Sequence, residues 1–246
     1  MKISIILPTF NEEGNIGPLI TALRDILECD HQIQFVVVDD SSEDSTLISA
    51  RLHLRQSSDI LIERRGSRSL GLSILEGLLR ADFEYVLVMD TDFTHSPTDV
   101  GRLVDSIGKA DVIIGSRFVP GGGMENKPHE FSSRIFNLLL RVILLTPVRD
   151  NLGGLWIARK RDIRNHLEPS VFDGYGEYFM RLSSLMKRDG LRLLEIPAYF
   201  EKRSSGVSKS KFAKMAVTYL SAAVYWRLKS TKLSTRTQEL GDDLLG

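Results

Sequence analysis

The chain has 246 residues with 42% hydrophobic and 26% charged residues, which suits one large folded domain or two small ones and excludes disordered, collagenous and disulfide-stapled classes. Thirty-two Lys+Arg against 32 Asp+Glu give a formal net charge of zero, which excludes an overall electropositive duplex-binding surface, so no nucleic-acid partner is expected. The single cysteine, Cys29, has no companion for a disulfide or at metal-ligand spacing and reads as a small buried filler in a reducing compartment.

Two short apolar runs, Ile3 to Leu7 and Phe35 to Val38, read as buried strands. Between them Glu12 to Leu27 carries Ile16, Leu19, Ile20, Leu23 and Leu27 at helical spacing. The pattern recurs with helix Asp44 to Leu54, strand Asp59 to Ile62, helix Leu70 to Ala81, strand Tyr85 to Met89, helix Thr98 to Ile107 and strand Asp111 to Gly115. Alternation with short connections predicts an α/β fold on a mostly parallel sheet, whose ligands bind beyond the carboxyl ends of the strands. After Gly115 the pattern loosens. Gly121-Gly122-Gly123 reads as a mobile loop, followed by an apolar helix from Phe131 to about Leu145, a helix Tyr178 to Arg188 and a strand Leu191 to Ile196. Pro197 to Lys209 is a basic, Gly- and Ser-containing loop. The amino terminus shows no basic stretch leading into a long apolar run, so no secretory signal is expected. The most apolar stretches are interrupted by Arg141, Pro147 and Lys214, so no spanning helix is expected either.

The chemistry-bearing residues cluster at the predicted strand ends. Asp90-Thr91-Asp92 follows Tyr85 to Met89, and paired hard carboxylates there suit Mg²⁺ or Mn²⁺ bridging a diphosphate. By itself the pair equally fits a capping or solvated acidic turn. Asp39-Asp40 follows Phe35 to Val38 in the same way, with Asp44 as the expected helix cap. Two acidic pairs on one rim repel unless a cation or donor-rich ligand lies between them. Arg117, directly after the strand ending at Gly115, would hold a diphosphate oxygen or pair with a carboxylate. Arg203, Ser208 and Lys209 lie in the basic loop, which reads either as a closing loop or as a solvated one. His53, His95, His129 and His166 are scattered and read as surface or structural residues rather than a metal site.

Taken in order, Pro8-Thr9-Phe10-Asn11-Glu12, Val38-Asp39-Asp40-Ser41-Ser42, Asp90-Thr91-Asp92-Phe93, Gly115-Ser116-Arg117 and Glu195-Ile196-Pro197 through Ser208-Lys209 resemble the dolichyl-phosphate mannose synthases of inverting glycosyltransferase family 2. The resemblance covers roughly residues 1 to 212. It implies a GT-A fold over 1–212, with 213–246 as an amphipathic helix and polar tail. The implied partners are a nucleotide sugar, GDP-mannose foremost, and a dolichyl or polyprenyl phosphate, with Mg²⁺ or Mn²⁺ as cofactor. Pro8, Phe10 and Glu12 match the nucleoside-holding stretch, and Asp39 its base or ribose contact. Asp90, Thr91 and Asp92 match the diphosphate segment, with Asp90 and Asp92 as the metal pair. Arg117 matches a donor and phosphate pocket arginine, Arg203, Ser208 and Lys209 the closing loop, and Ser133 an acceptor-phosphate position. Asp150 resembles the acidic residue that begins a sugar-facing loop. The sequence departs from the family at Ser41 and Ser45, where glycines are usual, and at Thr94, where Gln is usual. It departs again at Ser67 beside Arg68, at Asn151-Leu152-Gly153-Gly154, and at His129, which replaces an acceptor-phosphate arginine.

The implied reaction is direct displacement at the anomeric carbon by a lipid phosphate oxygen, with catalytic roles for Asp92, Arg117 and Arg203. A lipid acceptor implies peripheral association with the cytosolic face of a membrane. Phe131 to Leu145 and Lys209 to Lys229 are the two amphipathic candidates, the second with Phe212, Met215, Tyr219, Tyr225 and Trp226 beside Lys211, Lys214, Arg227 and Lys229. Either helix equally fits packing against the catalytic domain. Two other readings stand beside this one. One is a transferase using UDP-glucose or acting on a hydroxyl acceptor, for which Asp150 or Glu177 would be the general base. The other is a non-catalytic nucleotide-sugar-binding subunit.

Overall fold

A computed structural model describes residues 1–201 and 216–229. A seven-stranded sheet forms its centre, built from β1 (Lys2–Thr9), β2 (Gln32–Asp39), β3 (Ile60–Glu63), β4 (Tyr85–Val88), β5 (Val112–Ser116), β7 (Trp156–Arg159) and β8 (Leu193–Pro197). The strand order is β3-β2-β1-β4-β7-β5-β8, and a second, two-stranded sheet pairs β6 (Gly123–Met124) with β9 (Tyr199–Phe200). Every pairing in the large sheet is parallel except those of β7, which runs antiparallel to both β4 and β5. The mostly parallel sheet expected from the alternation is therefore present, with one reversed strand that the alternation did not predict.

Period-two burial divides the core between the two faces of the sheet. Ile6, Val36, Val38, Val86, Val88, Ile114 and Trp156 point to one face, against α3 (Leu70–Arg80), α5 (Lys127–Leu144) and α8 (Tyr178–Arg188). Ile3, Ile5, Leu7, Phe35, Val37, Leu87, Ile113 and Ile157 point to the other, against α1 (Ile16–Leu27), α2 (Thr46–His53) and α4 (Pro97–Val104). Such doubly covered strands read as continuous apolar runs.

Helix starts follow local capping chemistry. Ser69 accepts from the Leu72 amide at 3.3 Å and starts α3, and Ser96 with Pro97 starts α4. Asn126 accepts from the His129 amide at 3.1 Å, so α5 begins at Lys127, four residues before the apolar periodicity that predicted a start at Phe131. Asp44 instead clasps Thr46 through both its amide and its hydroxyl, one residue outside α2. Three short elements between β7 and α8 were not read from the sequence: α6 (Lys160–Ile163), a 3₁₀ turn (Arg164–His166) and α7 (Pro169–Phe172).

Residues 216–229 form a ninth helix, α9. Tyr219, Ala223 and Trp226, spaced four and three apart, bury one face in the same core as Phe172 and Phe179. This corrects the interfacial reading of Tyr219 and Trp226, because helical spacing turns both inward, while Tyr225 stays exposed. The boundary expected at 212/213 lies outside the described residues. Cys29 is exposed rather than buried, since it falls just past the buried end of α1 at Leu27. Gly121 and Gly122 lead directly into β6, which begins at Gly123. A Cβ on Gly122 would stand 2.3 Å from the Ser116 carbonyl oxygen.

Candidate active site

The carboxyl ends of β1, β2, β4 and β5 open onto one rim. Because β7 runs the other way, with Trp156 opposite Val88 and Ile114, the residues preceding Trp156 arrive at the same rim. The reversed strand thus brings 150–154 beside Asp90 and Arg117. Asp90 lies against Gly154, where a Cβ would stand 2.8 Å from Asp90 Oδ2, so a bare backbone is needed there.

Asp92 is 5% exposed, and its Oδ1 accepts from the Thr94 hydroxyl at 2.6 Å and the Thr94 amide at 3.1 Å. Thr94, which departs from the family pattern, therefore fixes the rotamer of Asp92. The Asp90 side chain is more open, at 39% exposure, and its Oδ2 lies 3.5 Å from His95 Nε2. Thr91 turns inward and donates to the Pro8 carbonyl at 3.2 Å, tying β4 to the end of β1.

Asp39 is fully buried and accepts from the Ser42 amide at 2.9 Å, the Ser42 hydroxyl at 2.5 Å and the Thr9 hydroxyl at 3.1 Å. It closes the turn after β2, in which Ser41 has φ 63°. Serine accepts the left-handed conformation that the usual glycine would adopt freely, at a cost of about 1–2 kcal/mol. Asn11 (φ 56°) and Phe93 (φ 59°) are likewise left-handed, so the turns after β1, β2 and β4 each carry one such residue. Asp40 is paired with Arg64 and accepts from the Ser69 amide at 2.8 Å. Phe10 lies under the Arg68 guanidinium at 3.6 Å, and the Glu12 amide donates to Thr46 at 2.8 Å. These residues bring the stretch after β1 and the segment 64–69 together on one side of the rim.

On the other side, Arg117 is 7% exposed and grips the fully buried Asp150 with two bonds, Nε to Oδ2 at 2.8 Å and a terminal nitrogen to Oδ1 at 2.6 Å. Its backbone amide adds a third at 3.1 Å. The guanidinium also lies over Phe118 at 5.0 Å and Phe200 at 4.4 Å. Glu195, from the family-like motif on β8, accepts from the amides of Arg149 and Asp150 at 2.8 and 3.0 Å and so shapes the loop that presents Asp150. Ser133 is buried on α5 and His129 is exposed in its first turn. Arg203, Ser208 and Lys209 lie outside the described residues.

Residues 4–167 match the family model of glycosyl transferase family 2. The chain belongs to that family. The polyprenol monophosphomannose synthase of Mycolicibacterium smegmatis is 32% identical to this glycosyltransferase over 214 residues, 83% of this chain and 79% of that one. The undecaprenyl-phosphate mannosyltransferase of Micrococcus luteus is 30% identical over 216 residues, 85% of this chain and 87% of its own. The dolichol-phosphate mannosyltransferase of Pyrococcus furiosus is 30% identical over 217 residues, 86% of this chain but 60% of that relative, so the chain spans less than two thirds of its length. Among solved structures, glucosyl-3-phosphoglycerate synthase of Mycobacterium tuberculosis with Mn²⁺, UDP and glucosyl-3-phosphoglycerate superposes with a TM-score of 0.67 at 17% identity, covering 92% of this chain and 79% of that one. The same synthase with Mg²⁺ and UDP gives 0.65 at 18%, with the same coverage. That likeness speaks for the fold, which is GT-A as expected.

Arg64 went unremarked in the sequence, whereas Thr94 and Gly154 stood there as departures from the family pattern and His95 as a surface or structural histidine. Thr94 and His95 stood within three residues of Asp92, and their proximity to the acidic pair was the available signal. Arg64 carried none, since its position follows from strand pairing.

Proposed function

We propose that this glycosyltransferase moves a hexose, mannose from GDP-mannose, onto a polyprenyl or dolichyl phosphate with inversion at the anomeric carbon. The observation that carries the reading is the rim itself, acidic at Asp90 and Asp92 and cationic at Arg117, in a chain whose 30–32% identical relatives are named for polyprenol, dolichol and undecaprenyl phosphates.

A lipid phosphate oxygen attacks the anomeric carbon while the bond from that carbon to the diphosphate breaks, and the nucleoside diphosphate leaves with the electron pair. A phosphate monoester carries between one and two negative charges at pH 7, so the attacking oxygen needs no protein base. Asp150 is unsuited to that role in any case, because both its oxygens are occupied by Arg117. Glu177, the other carboxylate considered for a hydroxyl acceptor, sits at the start of α8 and accepts from the Tyr175 amide at 2.9 Å. Asp90 and Asp92 would hold Mg²⁺ or Mn²⁺. No group of three or more His, Cys, Asp or Glu is placed to hold a metal among the described residues, and a hard cation that keeps waters and completes its shell with diphosphate oxygens fits so sparse a set. A cation held by these two carboxylates would supply neutralisation of the charge that develops on the leaving diphosphate. Arg117, fixed by Asp150 and lying on two aromatic rings, offers a preorganised positive charge to the same region. Phe10, Glu12 and Asp39 shape the nucleoside end, and Arg203, Ser208 and Lys209 serve the closing loop.

A lipid acceptor requires a membrane contact, yet no helix among the described residues is long and apolar enough to span a bilayer. Phe131, Ile135, Leu138, Val142 and Leu145 stand exposed along α5 and its C-cap at spacings of four, three, four and three. They form one stripe beside the site, opposite the buried Phe136, Leu140 and Leu144. This stripe rests on the membrane interface, joined by the exposed Val224, Tyr225 and Leu228 of α9.

The test is product formation from a panel of GDP- and UDP-sugars with a polyprenyl phosphate, with Mg²⁺ or Mn²⁺ and with a chelator. Metal-dependent transfer of mannose from GDP-mannose is expected. Donor hydrolysis without a lipid product would overturn the acceptor, and turnover undiminished by the chelator would overturn the cation.

A further inference from the structure

His95 is fully buried three residues beyond Asp92, and neither of its ring nitrogens has a hydrogen-bond partner among the described residues. A buried polar side chain left in this state is unusual and calls for an explanation. Its position is fixed from two sides. The ring meets Phe200 edge-on, with centroids 4.3 Å apart at 86°, and the His95 backbone forms an antiparallel bridge with that same residue. The Glu201 amide donates to the Thr94 carbonyl at 3.1 Å and extends the attachment. From this clamp Nε2 faces Asp90 Oδ2 at 3.5 Å, close enough for an ion-pair contact but not a formed hydrogen bond. Gly154 closes the other side of Oδ2, since any Cβ there would crowd it at 2.8 Å.

We propose that His95 is a positioning residue for Asp90: its Nε2–H donates to Oδ2 once the carboxylate closes the 3.5 Å gap, which fixes how Asp90 is presented at the rim. The two carboxylates of the rim would then be held by different partners, Asp92 Oδ1 by Thr94 and Asp90 Oδ2 by His95. An unmade hydrogen bond from a buried N–H is costly, so the closed arrangement is favoured once the carboxylate moves by a few tenths of an ångström. Phe200, which also lies under the Arg117 guanidinium, places the clamp on His95 and the arginine on one aromatic ring.

The inference rests on the cation site proposed above, and the experiment separates the two. The Mn²⁺ dissociation constant of the full chain is measured from the free-ion paramagnetic resonance signal, with GDP as the diphosphate probe. Wild-type protein should bind, and His95→Phe, which keeps an aromatic ring against Phe200 but removes the donor, should bind about tenfold or more weakly, as loss of a partner to a metal ligand typically does. His95→Gln, which restores an N–H donor, should recover part of the loss, and His95→Phe in an Asp90→Asn background should add little. Wild-type-like Mn²⁺ affinity in a folded His95→Phe overturns the positioning role alone, whereas no Mn²⁺ binding by the wild type removes the cation site and this inference with it. An imidazole nitrogen coupling in the wild-type Mn²⁺ spin-echo spectrum would make His95 a ligand and overturn its role as a positioner. If His95→Phe does not fold, the imidazole ¹⁵N spectrum of the wild type decides. A shift of one Nε2–H resonance on adding Mg²⁺ and GDP supports the proposal, and unmoved histidine resonances overturn it.

Discussion

The first half of the molecule, up to Ser116, and the second half beyond it build their shares of the rim by different means. In the first half each functional residue follows its strand directly: Thr9 to Glu12 after β1, Asp39 and Asp40 after β2, Asp90 to Asp92 after β4. Parallel strands end on one edge, so local sequence places these groups without help. In the second half the groups meet across long separations. Arg117 finds Asp150, Glu195 holds the Asp150 loop, and Phe200 returns beneath Arg117. The reversed strand β7 makes this possible by delivering the chain to the rim before it enters the sheet rather than after.

The contrast is broken most severely in the first half. Asp92→Asn should lower turnover by roughly three orders of magnitude, as expected when a cation-dependent leaving-group charge is left uncompensated, with circular dichroism and Tm unchanged. Near wild-type activity would remove Asp92 from the site. In the second half the same kind of change should act on folding. Asp150→Ala leaves the Arg117 guanidinium buried without its carboxylate and should lower unfolding free energy by about 3–5 kcal/mol in urea titrations. A stable Asp150→Ala enzyme would show that the pair belongs to chemistry rather than architecture.

The two faces of α5 sharpen the comparison further. Replacing Phe131, Leu138 and Val142 together by Ser should weaken binding to polyprenyl-phosphate vesicles by at least about tenfold, since each apolar side chain transferred from water contributes roughly 1.5–3 kcal/mol. Because these side chains are exposed, thermal unfolding should barely change. Leu140→Ala on the buried face should do the reverse, costing about 2–5 kcal/mol of stability. Equal flotation by the triple variant and the wild type would remove the stripe from the membrane argument.

The smallest effect concerns pH. The Lys127 ammonium, the Met124 amide and the charge of Arg134 hold the Glu130 carboxyl below its ordinary range against a small opposing effect of burial. A lowered folded-state pKa means that the contribution is fully present above the ordinary carboxylate range and is lost as pH falls through the depressed value. Glu130→Gln should therefore lower Tm slightly at neutral pH and have no effect under strongly acidic conditions, a difference that paired thermal melts would detect. Solvent screening keeps it small.

Much of this was legible from residue order. Buried apolar runs give strands, apolar spacing of three and four gives helices, and acidic residues directly after buried strands give a rim, because each is a local consequence of backbone geometry and hydrophobic burial. The likeness to a family of transferases rested on those same segments. What sequence could not supply was decided by pairing and packing. Trp156–Arg159 has no periodic signature that announces an antiparallel insertion between β4 and β5, and Gly123 and Met124 are too short to read as a strand. Asp150 became the buried partner of Arg117, His95 the neighbour of Asp90, and Tyr219 and Trp226 part of the core rather than an interface. The sequence by itself determined which chemical groups stand at the ends of the parallel strands. Only the tertiary structure decided which of those groups are held and by whom, because a hydrogen bond or ion pair between residues dozens of positions apart depends on the register of strands that no local pattern encodes.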